Sequence, residues 1–190
     1  MMPWGHLAVG YLVYTVATRI RHRRAPRELP VLALAVGTQL PDLVDKPLNW
    51  WFGVFDGRAI GHSLFVAVFV CAVAFAVARR FGGASVVSAF AVGVFTHLLG
   101  DAVGPLYSGD YHLAAFVLWP LFPAPTYPKD SPLDHLRQWA VEMQSIAQSP
   151  STLVGSQFGL QLLLFAVLAS VWAADGFPGI RAVWKQFVDR

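Results

Sequence analysis

The 190-residue chain carries 14 Lys and Arg against 11 Asp and Glu, so only 13% of it is charged while 56% is hydrophobic. A soluble domain is roughly 25% charged, so this composition, with a mean hydropathy of +0.52, excludes a disordered chain and argues against a soluble globular one. The single Cys71 excludes an intramolecular disulfide framework and a thiolate metal cluster, and an excess of three positive charges is too small to point to nucleic acid.

A membrane helix needs about 20 mainly apolar residues, and about 17 suffice. Five stretches meet or approach that length, and together they predict an all-α, multi-pass transmembrane bundle of about five helices in one domain, 1–190. The first, 4–20, is uncharged until Arg19. It lacks the basic start and small-residue cleavage site of a signal peptide, so it reads as a mature helix with His6 near its beginning. The second, 29–44, is short and carries Pro41 and Asp42 near its end, which fits a buried or partly inserted helix. The third, 60–78, and the fifth, 153–174, are the cleanest, and the fourth runs over 84–106. Between the last two lies an outer cap, 107–150. Its first half is aromatic and proline-rich, with Trp119, Phe122 and Tyr127 suited to the headgroup region. Its second half opens on Ser131-Pro132, a helix start. Leu133, Leu136, Trp139 or Ala140, and Met143 then recur at helical spacing, which predicts a short amphipathic helix.

Basic residues orient the spans. With five crossings, Arg19, Arg21, Arg23, Arg24, Arg27, Arg79, Arg80, Arg181, Lys185 and Arg190 share one side, expected to be cytoplasmic. Lys46, Arg58, Lys129 and Arg137 fall on the other, together with most acidic residues. The N-terminus is then outside and the C-terminus cytoplasmic.

Ionisable residues within membrane spans are expensive, so each marks a functional hypothesis. Here His6, Asp42, Asp45, His62, His97 and Asp101 all fall toward the outer ends of the first four spans. His97 and Asp101 are four apart and share a helix face, with His97 roughly 10 Å below the outer end. Asp42 and Asp45 share a face if the helix continues past Pro41; Pro41 and Pro47 otherwise break it and turn both carboxylates inward. Imidazole with carboxylate and no thiolate suits Zn²⁺, Mn²⁺ or Fe²⁺. Such a site lowers the pKa of a bound water, and two cations about 4 Å apart would need about this many ligands. Each residue alone has a plainer reading, as an interfacial polar group, a helix hydrogen bond or a cap. It is their common side and depth that argues for a site. His22, among the inner arginines, and the outer His112 and His135 carry no functional weight.

The spaced set Gly5-His6, Pro41-Asp42 with Asp45, Gly61-His62-Ser63, His97 with Asp101, and Leu118-Trp119-Pro120 resembles the inner-membrane-associated metal-dependent hydrolase family. These are multi-pass proteins also described as LexA-binding. The likeness covers about residues 4–120. It implies a metal set of His6, Asp42, His62, His97 and Asp101, with Asp45 close by. Family members often read H-R-G/x-x-T-H-S before the third span. Here the stretch is GRAIGHS, so Gly57 and Gly61 stand where a His and a Thr would, while Arg58, His62 and Ser63 remain. If that His is a ligand elsewhere, one metal position is altered here. Other hydrolase patterns are missing: no Ser-Arg precedes His97, and there is no H-E-x-x-H or G-x-S-x-G.

The expected function is a membrane-bound metal-dependent hydrolase with an outward-facing site, holding a divalent metal ion (Zn²⁺ or Mn²⁺) and acting on a phosphoester or lipid-linked substrate among membrane lipid. Asp45 is the expected general base, and Arg58 the expected partner of an anionic substrate. Two rivals use the same residues: a cation or proton transporter, which needs a polar route to the inner face, and a membrane scaffold with a structural metal.

Overall fold

The computed structural model describes residues 1–55, 57–126, 131–180 and Trp184. Tyr127, Lys129, Arg181, Lys185 and Arg190, used above for the cap and the charge pattern, lie outside the described residues. The fold is all α. Helices α1 (Pro3–His22), α2 (Glu28–Phe52), α3 (Leu64–Arg80) and α4 (Ala84–Ser108) are followed by a 3-10 helix (Tyr111–Leu118), then α5 (Pro132–Gln148), α6 (Thr152–Gly155) and α7 (Gln157–Ala174). No strand occurs among the described residues. Two of these helices, α4 and α7, are long and apolar enough to cross a membrane.

Local chemistry sets the boundaries. Pro3 opens α1, where its missing N–H costs nothing. Ser63, Ser131 and Ser156 cap α3, α5 and α7 by accepting from Val66, Asp134 and Gly159 amides. Gly53 and Gly109 end α2 and α4 in the left-handed conformation, at φ 62° and 82°. Helix α2 runs on through Pro41 and Pro47 for 25 residues. A proline removes one helical hydrogen bond, and packed neighbours make that tolerable in membrane helices. The third apolar stretch becomes helical only from Leu64, because His62 and Ser63 belong to the preceding turn.

Helix α4 is the central element and packs against α1, α2 and α3, most extensively against α2. Small residues allow that approach. A Cβ on Gly93 would meet the Leu34 carbonyl oxygen at 2.5 Å, and one on Gly37 would collide with the Phe90 carbonyl. An apolar cluster of Ala8, Tyr11, Val31, Leu34, Ala89 and Leu168 ties α1, α2, α4 and α7 together.

Burial mixes apolar residues with an unusual number of ionisable ones. The largest fully buried side chains include His6, His62, His97, Thr15, Thr38, Asp45 and Ser63, against Phe116, Leu34 and Pro41. Phe65, Val68, Phe69 and Val73 of α3 and Leu160 and Val167 of α7 are exposed. Ionisable groups are thus buried beside an apolar core while the outer faces of α3 and α7 are apolar, a combination that suits a hydrocarbon solvent.

Helix α5 buries none of its residues. Aromatic rings hold it across one end of the bundle. Trp139 meets Trp4 edge to face at 4.9 Å, His135 lies 5.7 Å from Trp50, and Trp4 in turn meets Phe158 at 5.5 Å. At the opposite end, Asp175 accepts from Tyr11 Oη and Thr15 Oγ1, both at 2.7 Å, and pairs with Arg19.

Candidate metal centre

The centre begins with a buried carboxylate. Asp45, on α2, is 1% exposed, and its Oδ2 accepts from the Ala59 amide at 2.7 Å and the His62 amide at 3.1 Å. Its Oδ1 accepts from the Gly61 amide at 2.9 Å. These bonds pull the turn before α3 onto α2, and the approach demands glycine: a Cβ at Gly61 would lie 2.5 Å from the Pro41 carbonyl oxygen.

The same carboxylate orients a ligand. His62 Nδ1 lies 2.8 Å from Asp45 Oδ2. A carboxylate only accepts, so Nδ1 carries the proton and Nε2 presents a lone pair. His97 is set likewise, its Nδ1 donating to the Thr38 carbonyl at 2.7 Å. Pro41 cancels the helical bond to the Gly37 carbonyl, and in the same turn the neighbouring Thr38 carbonyl is offered to His97.

The two Nε2 atoms face each other at 3.2 Å. Asp101 Oδ2 lies 3.5 Å and 3.8 Å from them, and Asp42 Oδ1 3.6 Å and 4.0 Å. Four ligand atoms, from Asp42, His62, His97 and Asp101, thus fall within 4.8 Å of one another and can hold a metal ion. The chemistry of the set fits one. With both Nδ1 atoms protonated, two imidazole lone pairs and two carboxylates converge; the donors at hand, Lys46 and Arg58, pair with the carboxylates and leave the two Nε2 lone pairs facing each other. A hydrogen bond across the gap needs an extra proton on one ring, whereas a divalent cation satisfies all four at once.

His6 stands beside this set. Its ring stacks on His97 at 3.7 Å and 14°. Its Nε2 lies 3.3 Å from the other Asp101 oxygen, Oδ1, and neither ring nitrogen has a hydrogen-bond partner. The Met1 amino nitrogen also meets Asp101 Oδ1. Arg58 Nη2 is 2.8 Å from Asp101 Oδ2, with its guanidinium over Phe116 at 5.2 Å. Lys46 Nζ is 2.7 Å from Asp42 Oδ2. A cavity of about 730 Å³ opens alongside, lined by Asp42, Lys46, Arg58, Trp50 and, from α5, His135 and Trp139. Asp42 is the ligand that reaches it: its side chain is 12% exposed, that of Asp101 1%, and those of His62 and His97 not at all.

The structure therefore gathers His6, Asp42, Asp45, His62, His97, Asp101 and Arg58 in one place. The oxygens of Asp45, expected to act as a base, are occupied by three amides and one imidazole. His22 and His112 are exposed and outside the cavity lining, while His135 joins the cavity wall. Reading the sequence missed Lys46 and the Thr38 carbonyl. The spacing of Lys46, four residues after Asp42, was its only signal; nothing in residue types marks a backbone carbonyl.

A family model described as YdjM inner membrane protein matches residues 1–177, which include every residue of the centre. No curated protein and no solved structure matches the chain.

Proposed function

The chain belongs to the YdjM inner membrane protein family, and we propose that it is a multi-pass, single-domain metal-dependent hydrolase acting on a phosphoester or lipid-linked substrate at the outer membrane–water boundary. The convergence of Asp42, His62, His97 and Asp101 beside a cavity carries this reading. A cavity of about 730 Å³ is within the usual size range for a small-molecule site, roughly 300–1,000 Å³. The five crossings are α1, α2, α3, α4 and α7, with the centre near the outer ends of the first four and α5 above it. The lipid-facing apolar surface supports this arrangement.

Asp42 Oδ1, His62 Nε2, His97 Nε2 and Asp101 Oδ2 would hold the cation, Zn²⁺ or Mn²⁺ by donor type. When bound, it supplies Lewis-acid polarisation and lowers the pKa of water. The protein supplies placement. Asp45 and the Thr38 carbonyl fix the two imidazoles, so Asp45 acts as a positioning residue and not as a base. His6 backs Asp101 and braces His97. Arg58 orients the anionic group of the substrate toward the centre. Burial of the centre, with access through Asp42, excludes bulk water.

The test is turnover. Purified protein supplied with Zn²⁺ or Mn²⁺ is assayed on a broad panel of phosphomonoesters, phosphodiesters and lipid-linked substrates. Hydrolysis that falls to background in a His97→Ala variant is expected. Metal-loaded protein that turns over nothing in the panel would remove the hydrolase assignment and leave a structural or transport metal.

A further inference from the structure

Two cations stand between the centre and the cavity, and each is tied to a ligand carboxylate. Lys46 pairs with Asp42 and Arg58 with Asp101. Both line the cavity, with side chains 28% and 25% exposed. Partly buried cations persist only where negative charge compensates them. Here Asp42 and Asp101 contribute that charge: Arg58 pairs with Asp101 Oδ2, the oxygen that would hold the metal, and Lys46 with Asp42 Oδ2, the partner of the oxygen that would.

The two demands compete. With Asp42 and Asp101 engaged by a divalent cation, Lys46 and Arg58 share those carboxylates with two further positive charges while still facing the cavity. We propose that Lys46 and Arg58 form a phosphate-binding clamp that metal binding uncovers, so that the cavity takes a phosphate group tightly only once the centre is loaded. The inference rests on the metal centre described above. Arg58 contributes a planar fork matched to phosphate oxygens, steadied by Phe116, and Lys46 a point charge. The device orders the reaction, admitting the anionic substrate to a loaded centre and leaving an empty one closed by its own ion pairs. Coupling is reciprocal, so phosphate must tighten the metal by the factor by which the metal tightens phosphate.

Inorganic phosphate and Mn²⁺ serve as probes in titration calorimetry of the detergent-purified full chain. Phosphate is expected to bind Mn²⁺-loaded protein at least about tenfold more tightly than metal-free protein, with an equal gain in Mn²⁺ affinity when phosphate is present. Lys46→Met and Arg58→Met should still bind Mn²⁺ and lose that tenfold. Equal phosphate binding with and without Mn²⁺ would overturn the clamp. So would a Lys46→Met variant that binds phosphate normally and merely gains Mn²⁺ affinity, the signature of simple charge compensation. Wild-type protein that binds no Mn²⁺ would overturn the centre itself, whereas Mn²⁺ binding without coupling overturns only the clamp. Nanodiscs of phosphatidylcholine with and without phosphatidic acid identify the source of the phosphate. Loss of phosphate binding in the presence of phosphatidic acid supports a clamp for a lipid headgroup; undiminished binding supports one for a soluble phosphate.

Discussion

His62 and His97 are useful as ligands only because other groups decide which nitrogen each presents. Asp45 does this for His62 and the Thr38 carbonyl for His97. Removing such an outer partner typically lowers metal affinity by about 10- to 100-fold while sparing the ligands. An Asp45→Asn variant should therefore bind metal about 10- to 100-fold more weakly, yet reach wild-type stoichiometry at saturation, by competition with a chelator of known affinity. Unchanged affinity would return Asp45 to the role of base. The candidate ligands were legible in the sequence because His and Asp at apolar depth are costly and therefore conspicuous. The partners were not. Lys46 reads as an ordinary helical ion pair with Asp42, and the amides that saturate Asp45 come from Ala59, Gly61 and His62, whose approach depends on a turn and not on residue type.

Helix ends, more than helix middles, separate the observed elements from the apolar stretches. The 29–44 stretch stops where Pro41 and Pro47 look like breakers, but α2 continues to Phe52, and only that continuation brings Asp45 and Lys46 one turn beyond Asp42. The 153–174 stretch is divided at Ser156, whose extended backbone separates α6 from α7 and whose hydroxyl caps the latter. At the C-terminal end of α7, Asp175 clasps α1. Burial alone would raise the pKa of its carboxyl, but donation from Thr15 and Tyr11, with Arg19 alongside, outweighs burial and holds the group below the usual carboxylate range. A pKa depressed by folding contributes stability above the unfolded value, about 3.9, that is lost as pH falls through the folded one. An Asp175→Asn variant should lose about 2 kcal/mol near neutral pH. Its melting temperature in detergent should approach that of the wild type below about pH 4. A deficit that stays constant with pH would contradict the clasp.

For the whole molecule, buried His and Asp residues together with the exposed apolar faces of α3 and α7 agree with an inner-membrane family. Composition and run length made that much legible, together with the all-α class. They did not reveal that α4 is the hub, because the close approach of α2 depends on Gly37 and Gly93 meeting backbone from the other helix. The proposed orientation is open to a direct check. In a Cys71→Ala background, Arg24→Cys should react with an impermeant thiol reagent only from the cytoplasmic side and Leu133→Cys only from the outside. The reverse pattern would place the centre on the inner face, and reaction of both from one side would contradict the five crossings.

The central claim is that four convergent ligand atoms hold a metal. Elemental analysis of the detergent-purified protein, beside a His97→Ala/Asp101→Ala double variant, tests it most directly. One or two equivalents of a transition metal in the wild type and none in the variant is the expected result. No metal in either after reconstitution with Zn²⁺ and Mn²⁺, or equal metal in both, would contradict it.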